Sequence, residues 1–468
     1  MSTNSSQPDW PEIYRQRRNK IRRQVDGVIL WIGHSLQPRN YAGNTYPFRQ
    51  NSHFLYYTGL SEPDLLMLSF PEQDHDILFA READIDDIVW TGPTRSRAEL
   101  ARDAGIDIAE EIERVKEHLA GVRSDGARIH YLPPYQYSSL YRAAQLLNME
   151  PAEVIANVSQ VLMEEVAKQR SIKTEVEIAE IEDALAITDL MHRAAMAEMG
   201  PGKRESEIAG VMQGIALAHD RQQAYNPIVT IRGEVLHNHS YSGIMQEGQL
   251  LLIDAGVESP LFYASDITRT FPVSGRFTAK QAGIYQIVLR MQLGTIGMIK
   301  SGISYRDVHL AACRIMAEGL RETGLMRGNP SDAIEAGAHA LFFPHGIGHM
   351  LGLDVHDMED LGDIVGYGKK EKRSGQFGLN YLRLSRPLEH GFVLTVEPGI
   401  YFIPALIERW QKENLHSEFI DYEKVNGYLG FGGIRIEDNI LVTPTGATVL
   451  GPGIPKTIPE IESAMAQR

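Results

Sequence analysis

LLLIDAGVESPLFYASDITRTFPV, residues 250–273, contains two strand-like runs that meet at a short polar segment around Pro260. Asp254 and Asp266 lie twelve residues apart within these otherwise apolar runs. In a hairpin the two carboxylates can face each other, and two anions at close range are unfavourable without a cation between them. Each Asp taken alone is more often a turn or cap residue, but Asp is depleted in strands and costly to bury unpaired. The pair therefore indicates a metal site.

Three further motifs extend this set of potential ligands. They contain His349 in HGIGH, Glu397 in TVEPGIY and Glu437 in GIRIEDN. A Glu flanked by strand residues needs a positive partner, and an ordinary ion pair with Arg435 is the alternative for the last motif. Four carboxylates with one imidazole favour metal, because oxygen-rich mixed sets suit a pair of divalent ions that can turn water into a nucleophile at neutral pH.

The segment FFPHGIGHMLGLDVHD contains three histidines, at positions 345, 349 and 356. His345 and His349 have the spacing of a helical zinc motif, but that motif needs a Glu after the first histidine. Gly346 and Gly348 argue against a helix here. Histidines in a glycine-rich loop can instead approach a metal or a substrate closely, and three of them in so short a stretch are hard to attribute to packing.

The chain of 468 residues is long enough for about two or three domains. Residues 1–160 alternate strand and helix patterns, which predicts a smaller N-terminal α/β domain. Its expected strands cover residues 28–32, 65–70 and 77–80, and its expected helices cover residues 97–120 and 136–149.

Residues 161–468 predict an α+β domain in which helices pack over a mostly antiparallel sheet. A helix-rich connection runs to about residue 169, and Thr174 with Glu177 has the spacing of a capping box. Apolar helical stripes follow at residues 284–291 and 308–315. The four carboxylates fall in β-rich segments, at residues 248–257, 262–273, 391–402 and 433–442.

Composition narrows the class of partner and the compartment. The net charge of −15 disfavours nucleic acid and anionic membrane, because the overall field repels both. Cys313 is the only cysteine, so we expect no disulfide and no cysteine metal site, and we interpret it as core filler. The N-terminus lacks the apolar stretch of a secretory signal, and no run approaches the roughly 20 apolar residues of a bilayer span, so the cytoplasm is expected.

Taken in order, the five ligand motifs resemble the peptidase family of the pita-bread fold that contains aminopeptidase P and prolidase (Xaa-Pro dipeptidase). The resemblance covers residues 170–455. YPFRQNSHFLYYTGLSEP, residues 46–63, also resembles the first domain of these two peptidases, which methionine aminopeptidase lacks. The resemblance implies an α+β fold, with a C-terminal pita-bread catalytic domain and a smaller N-terminal, creatinase-like α/β domain. It further implies hydrolysis of the bond before proline in dipeptides or peptides, by a homodimer or homotetramer.

The same resemblance implies two divalent metal ions, usually Mn²⁺, and a role for each motif residue. Asp254 would bind one ion, while Asp266 and Glu437 would bridge both. His349 would complete the shell of the first ion, and Glu397 would complete that of the second and carry a proton. The other implied residues are His237 at the oxyanion, His345 beside the ligands, His356 at the substrate, Arg435 orienting its neighbours and Tyr401 lining the pocket.

Two spacings depart from the family pattern. The step from Asp254 to Asp266 is longer than usual by one residue, which predicts a bulge or a longer turn in the hairpin. The stretch from Tyr225 to His237 is shorter than usual and lacks a glycine-rich loop. His239 is therefore the alternative to His237, and a role for Tyr225 stays open.

Substrate length decides between the two peptidases. Arg383 occupies a position where prolidases have an arginine that can hold the free carboxylate of an Xaa-Pro dipeptide. The long polar segment between Glu397 and Glu437 also resembles prolidases, so we slightly favour a dipeptidase. The alternative is an Xaa-Pro aminopeptidase acting on longer peptides, which the N-terminal string resembles at least as closely. A non-catalytic peptide-binding module and a hydrolase of organophosphate esters are further alternatives.

Overall fold

The computed structural model describes residues 8–466, which form two compact units. The first unit runs to Gln169 and includes the short stretch Asp360–Ile364. The second unit begins at Arg170 and continues after that stretch from Val365. The domain boundary at residue 160 remains a prediction from the sequence.

A mixed five-stranded sheet forms the centre of the first unit. The strands of this unit are β1 (Val28–Ile32), β2 (Pro38–Tyr41), β3 (Asn44–Thr45), β4 (Leu66–Phe70), β5 (His75–Ala80), β6 (Ile108–Glu111) and β7 (Ile129–His130). Its helices are α1 (Trp10–Arg22), α2 (Ser52–Thr58), α3 (Ile85–Thr91), α4 (Arg97–Asp103), α5 (Val115–Ser124), α6 (Tyr137–Leu147), α7 (Pro151–Ala156) and α8 (Gln160–Ser171), the last of which crosses the division between the units. The sheet order is β6-β5-β4-β1-β7, with antiparallel pairs at the centre and parallel pairs at both edges.

The prediction of one helical stretch over residues 97–120 is wrong. Residues 97–120 form α4, β6 and the start of α5 instead of one helical stretch. Gly105, at φ +63°, turns the chain directly after α4, and residues 108–111 then pair in parallel with β5. Hydrogen bonding to the sheet edge thus overrides the local helical pattern. The three expected strands and the expected helix at residues 136–149 are confirmed apart from their end residues.

The second unit combines helices with short antiparallel sheets. Its strands are β8 (Ile228–Thr230), β9 (Leu250–Ala255), β10 (Ile267–Pro272), β11 (Val393–Val396), β12 (Gly399–Tyr401), β13 (Gly433–Arg435), β14 (Asp438–Val442) and β15 (Ala447–Val449). Its helices are α9 (Glu175–Glu198), α10 (Glu205–Ala218), α11 (Ala279–Met298), α12 (Tyr305–Glu322), α13 (Pro330–Ala336), α14 (Asp363–Tyr367), α15 (Pro404–Lys412), α16 (Tyr422–Asn426) and α17 (Ile458–Met465), of which α14 begins within the inserted stretch. The sheet orders are β10-β9-β8, β11-β14-β15 and β12-β13.

Strands β9 and β10 form the hairpin expected from residues 250–273. Asp254 pairs with Thr268, and the same register continues to the bridge between Glu258 and Ala264. The extra residue of this motif therefore lies in the turn at residues 259–263, and the pairing shows no bulge. Of the two alternatives for the hairpin, the longer turn is confirmed.

The helices expected in the second unit are also confirmed. Thr174 and Glu177 form a capping box at the start of α9, and the two apolar stripes lie on α11 and α12, where they are buried or half-buried. All strand pairs in this unit are antiparallel, as expected. Within residues 8–466, no helix is both long and apolar enough to cross a membrane.

Candidate active site

The expected ligands come from separate segments of the second unit and converge on one cavity of about 990 Å³. The hairpin contributes Asp254 and Asp266, and an irregular loop contributes His349. Glu397 follows β11 directly, and Glu437 lies between β13 and β14. All five side chains line the cavity.

Strand alternation brings the two aspartates to one face of the hairpin. Asp254 lies opposite Thr268, and Asp266 lies two residues before Thr268 on the same face. The Tyr225 hydroxyl oxygen is 2.6 Å from Asp254 Oδ1 and 2.5 Å from Asp266 Oδ1. Because a hydroxyl has a single proton, it can fully satisfy only one of these carboxylates. Tyr225, whose role the sequence left open, therefore lies at the centre of the site.

The two carboxylate oxygens of Glu437 differ in their hydrogen bonding. The Thr268 hydroxyl donates to Glu437 Oε2 at 2.6 Å. Oε1 is buried and has no hydrogen-bond partner in the part of the chain that the structure describes. A buried oxygen without a partner is unusual and costly. Ligand atoms of Asp266, His349 and Glu437 lie within 4.8 Å of one another, which is the spacing that a shared cation needs.

His349 presents a free lone pair to this centre. Its Nδ1 lies 3.0 Å from the carbonyl oxygen of Met350, which can only accept, so we assign the proton to Nδ1. Its Nε2 then faces Asp266 at 3.4 Å and Glu397 at 3.6 Å. Burial lowers the pKa of His349 to about 4, so the ring is neutral near pH 7. A neutral imidazole whose second nitrogen is held by a carbonyl is the form that binds metals.

The buried carboxyl groups repel one another. Burial raises the pKa of Asp266, Glu397 and Glu437 well above the ordinary carboxyl range, and neighbouring carboxylates raise each of them further. Asp266 and Glu437 are at most 5% exposed, so solvent does little to screen this repulsion. Together with the unsatisfied oxygen of Glu437, this clustering fits a site built around positive ions.

A chain of hydrogen bonds links Arg435, Tyr401 and His345. Arg435 Nη2 donates to Asp254 Oδ2 at 2.5 Å, and Nη1 donates to Tyr401 Oη at 3.0 Å. His345 Nδ1 donates to the Gly346 carbonyl at 2.8 Å, so its Nε2 accepts from the Tyr401 hydroxyl, also at 2.8 Å. Burial lowers the pKa of His345 to about 3 and raises that of Tyr401 to about 12. Arg435 is thus paired with Asp254, and its ordinary pairing with Glu437 is not found.

His356 and Arg383 meet at Glu359 on the cavity wall. The His356 ring packs edge-on against His349, with centroids 4.3 Å apart, and its Nδ1 is 3.7 Å from Glu359 Oε2. Arg383 Nη1 donates to the same oxygen. Burial lowers the pKa of His356 to about 3, so this ring is also neutral near pH 7. The positive charge of Arg383 therefore already has a partner inside the protein.

His237 and the alternative His239 both line the cavity. Burial lowers the pKa of His237, and the positive charges of Arg435 and Arg383 lower it further. The short stretch after Tyr225 thus delivers two imidazoles to one wall, so the shorter spacing does not remove His237 from the site.

Three polar partners of the site were missed from the sequence. Thr268 shares a strand face with Asp266, and Asn439 donates to the backbone oxygen of Asp266 and accepts from its N–H at 3.0 Å. The third is Glu359, the partner of Arg383. Strand parity could have found Thr268 and Asn439, because each lies two residues from an expected ligand. No comparable signal exists for Glu359, which lies in an irregular segment.

The segment between Glu397 and Glu437 forms a wall of the cavity. It folds into α15 and α16. Ile403, Leu406 and Arg409 of this segment line the cavity. Part of this segment therefore contributes to the lining of the cavity.

Two family models match the chain. Residues 179–444 match the model of the metallopeptidase family M24, and residues 14–130 match that of the aminopeptidase P N-terminal domain. A curated relative, a probable Xaa-Pro aminopeptidase of Fusarium vanettenii, is 35% identical over 412 residues, covering 86% of this chain and 83% of the relative.

Solved structures agree with these matches over almost the whole chain. Aminopeptidase P of Escherichia coli with the inhibitor Pro-Leu aligns with a TM-score of 0.80 and 29% identity, covering 98% of each chain. Proline aminopeptidase P II of Yersinia pestis aligns with a TM-score of 0.80 and 30% identity, covering 98% of this chain and all of that one. The expected fold class, an N-terminal domain with a C-terminal pita-bread domain, is confirmed.

Proposed function

Because this chain belongs to the metallopeptidase family M24 and is therefore a metal-dependent peptidase, we propose that it is an Xaa-Pro aminopeptidase. It would remove the first residue of peptides that have proline in second position. The observation that supports this most directly is the convergence of four carboxylates and one neutral imidazole on a single cavity. The curated relatives support the aminopeptidase over the dipeptidase that the sequence slightly favoured.

Two divalent ions, which we propose to be Mn²⁺, fit the charge of the site. Four carboxylates against Arg435 leave a net charge of −3, which one divalent ion cannot neutralise. The residues that would hold the ions are Asp254, Asp266, His349, Glu397 and Glu437, and mostly oxygen ligands suit hard ions such as Mn²⁺. When bound, such ions lower the pKa of water and polarise a carbonyl group.

The remaining residues would bind the peptide and move protons. Glu397, whose pKa is raised by burial and by Glu437, is suited to take a proton from the attacking water and give it to the departing proline nitrogen. His237 would donate to the developing oxyanion, and His356 would contact the peptide. The chain from Arg435 through Tyr401 would hold His345 in one orientation beside the ligands.

The two features that favoured a dipeptidase have other roles in the structure. Arg383 is neutralised by Glu359, so a free dipeptide carboxylate would have to displace an internal partner. The long segment after Glu397 lines a cavity of about 990 Å³, near the upper end of the roughly 300–1,000 Å³ range of ligand pockets. Both features suit a substrate that extends beyond proline.

Turnover of matched dipeptides and tripeptides tests this proposal. With Mn²⁺ present, we expect a higher kcat/KM for an Xaa-Pro-Xaa tripeptide than for the corresponding Xaa-Pro dipeptide. A clear preference for the dipeptide would restore the dipeptidase assignment. If the protein cleaved neither peptide but did cleave a phosphotriester, the organophosphate hydrolase would be supported instead.

Chelation tests the role of the ions, and a matched pair of variants tests the site. We expect the chelated protein to be inactive and Mn²⁺ to restore activity, whereas full activity without metal would refute the mechanism. Glu397→Gln should abolish turnover, while Glu389→Gln, a change of an exposed glutamate on the same stretch, should not. If the wild-type protein bound proline peptides but never cleaved them, the binding-module alternative would be correct.

The proposal also covers the oligomeric state and the cellular compartment of the protein. We propose a homodimer or homotetramer in the cytoplasm, in line with the family resemblance and with a chain that has a single cysteine. Light scattering coupled to size exclusion would measure the oligomer, and cell fractionation would locate the protein.

A further inference from the structure

A second group of potential ligands lies in the same unit and takes no part in the peptidase site. His309 and Cys313 lie one turn apart on α12, and His339 lies in the 3₁₀ turn Ala338–Leu341. Residues four apart on a helix share a face. One ligand atom from each side chain lies within 4.8 Å of the other two, and all three residues are 0% exposed.

The polar atoms of this group are poorly satisfied. Cys313 Sγ lies 3.3 Å from His309 Nε2. Nδ1 of His309 and both ring nitrogens of His339 have no hydrogen-bond partner within residues 8–466. The carbonyl of Ile334 is near enough to affect the pKa of His339 but lies outside ordinary hydrogen-bond geometry. Buried polar groups without a partner are rare, so three at one place point to an absent partner.

We propose that His309, Cys313 and His339 hold one thiophilic transition-metal ion, Zn²⁺ or Cu⁺, in a structural site. A thiolate with two imidazoles is a ligand set that such ions prefer. In a tetrahedral arrangement, metal bonds of about 2.3 Å to sulfur and about 2.0–2.1 Å to nitrogen separate the ligand atoms by roughly 3.3–3.6 Å. The observed distance between Cys313 Sγ and His309 Nε2 is 3.3 Å, and the other separations within the group are at most 4.8 Å. From the sequence we expected that a chain with a single cysteine has no cysteine metal site. The proposed site departs from that expectation, because histidines supply its other ligands.

Protonation of the group is compatible with this role. Burial lowers the pKa of His309 well below its usual value and that of His339 to about 4, so both rings are neutral and can offer a lone pair. Burial raises the pKa of the Cys313 thiol. Binding would therefore break the S–H bond, form the sulfur–metal bond and release one proton to solvent. Cu⁺ with a thiolate has no net charge, and Zn²⁺ with a thiolate has a charge of +1.

The site would stabilise the segment that leads to the catalytic histidines. Phe343 packs against His309, with ring centroids 5.2 Å apart, and against His345, with centroids 4.8 Å apart. A bound ion would fasten the 3₁₀ turn of His339 to α12, four residues before this phenylalanine. This inference stands independently of the proposed peptidase function.

Cobalt spectroscopy and metal analysis test the site without any measurement of activity. The full chain is produced in minimal medium with Co²⁺, so that the ion is present while the buried site folds. Cys313 is the only cysteine, so a thiolate-to-cobalt charge-transfer band in the near ultraviolet can arise only here. In parallel, protein from medium containing zinc and copper is dialysed against a chelator, and its remaining metal is measured by mass spectrometry.

We expect the band in the wild-type protein, together with about one retained ion per chain whose identity distinguishes Zn²⁺ from Cu⁺. Cys313→Ser and His339→Gln should lose both signals, and Met316→Leu, a buried change on the same helix, should keep them. Retained copper that depends on Cys313, without a cobalt band, would support the Cu⁺ form. A folded wild-type protein with neither band nor retained ion would overturn the proposal, whether or not the variants fold.

Discussion

The Thr268 hydroxyl donates a 2.6 Å hydrogen bond to Glu437 Oε2 and thereby orients the carboxylate whose other oxygen faces the proposed metal centre. Thr268→Val keeps the shape of the side chain, removes the donor to Glu437 and also removes the acceptor that Arg435 Nε contacts at 3.0 Å. Loss of a hydrogen bond to a ligand typically lowers metal affinity about 10–100-fold. We therefore expect the Mn²⁺ activation curve to move to correspondingly higher concentration, with kcat largely recovered at saturating metal.

Thr295→Val is the matched control for this change. Thr295 is also fully buried, but within residues 8–466 its hydroxyl donates only to carbonyl oxygens of its own helix, those of Met291 and Gln292. The activation curve of this variant should coincide with that of the wild-type protein. Equal shifts in the two variants would mean that the loss reflects general destabilisation and that Thr268 does not orient the ligand.

Glu359 should control how well Arg383 can hold a dipeptide. Glu359→Gln removes the carboxylate that neutralises the guanidinium, so Arg383 becomes free to bind the carboxylate of an Xaa-Pro dipeptide. We expect the dipeptide KM to fall roughly ten-fold relative to the tripeptide KM, which corresponds to about 1.4 kcal/mol. Steady-state kinetics on the two peptides measure this ratio.

A double variant identifies the group responsible. Adding Arg383→Gln to Glu359→Gln should abolish the gain. If Arg383→Gln alone weakened dipeptide binding by a similar factor in the wild-type background, Arg383 would already hold the substrate carboxylate, and its pairing with Glu359 would not limit dipeptide binding.

The proposed metal ligands could be predicted from the sequence because they break a physical rule. Asp254 lies in the apolar strand β9 and Asp266 lies directly before the apolar strand β10, where a carboxylate is costly unless something compensates it. The capping box of Thr174 and the apolar stripes of α11 and α12 could also be predicted from the sequence, because they depend only on residues three or four positions apart.

The partners of these ligands could not be found in the same way. Strand parity places Thr268 on the same face as Asp266, but nothing local in the sequence encodes its contact with Glu437, which lies 169 residues away. The pairing of Arg383 with Glu359 depends on the path of an irregular segment, and no periodicity encodes it. Strand β6 was missed for a related reason, since β5, the strand with which it pairs, is distant in the sequence.

The gain in thermal stability from Mn²⁺ should grow with pH. Asp266, Glu397 and Glu437 have raised pKa values in the metal-free protein, so the folded state binds more protons than the unfolded chain. Raising the pH above the ordinary carboxyl pKa of about 4 therefore destabilises the metal-free protein, until the folded pKa values are passed. Bound cations remove this penalty.

Differential scanning calorimetry of chelated and Mn²⁺-loaded protein, between about pH 5 and pH 8, measures the effect. The difference between the two Tm values should increase across this range, mainly through a falling Tm of the chelated sample. A difference that stayed constant would show that the carboxyl groups are ionised throughout and that their repulsion is relieved without metal.

Asp357 should be a costly carboxylate to remove, although it lies outside the proposed metal site. It is 2% exposed and accepts hydrogen bonds from Arg170 at 2.7 Å and from Lys173 at 2.9 Å. Burial alone would raise the pKa of Asp357, but the two cations outweigh burial and lower it. Asp357→Asn leaves these cations buried without their counter-charge, which typically costs about 3–5 kcal/mol. Urea unfolding should show this loss in the free energy of unfolding.

Asp354→Asn provides the comparison on the same loop. Asp354 also contacts Arg170, at 3.3 Å, but its side chain is 38% exposed, so solvent screens the pair and its loss should cost about 1 kcal/mol or less. The Asp357 N–H donates to the carbonyl of Met350, which directly follows His349. Because this contact links Asp357 to the proposed ligand His349, Asp357→Asn should also bind Mn²⁺ more weakly. Equal losses of stability in the two variants would mean that the buried position of Asp357 gives it no special weight.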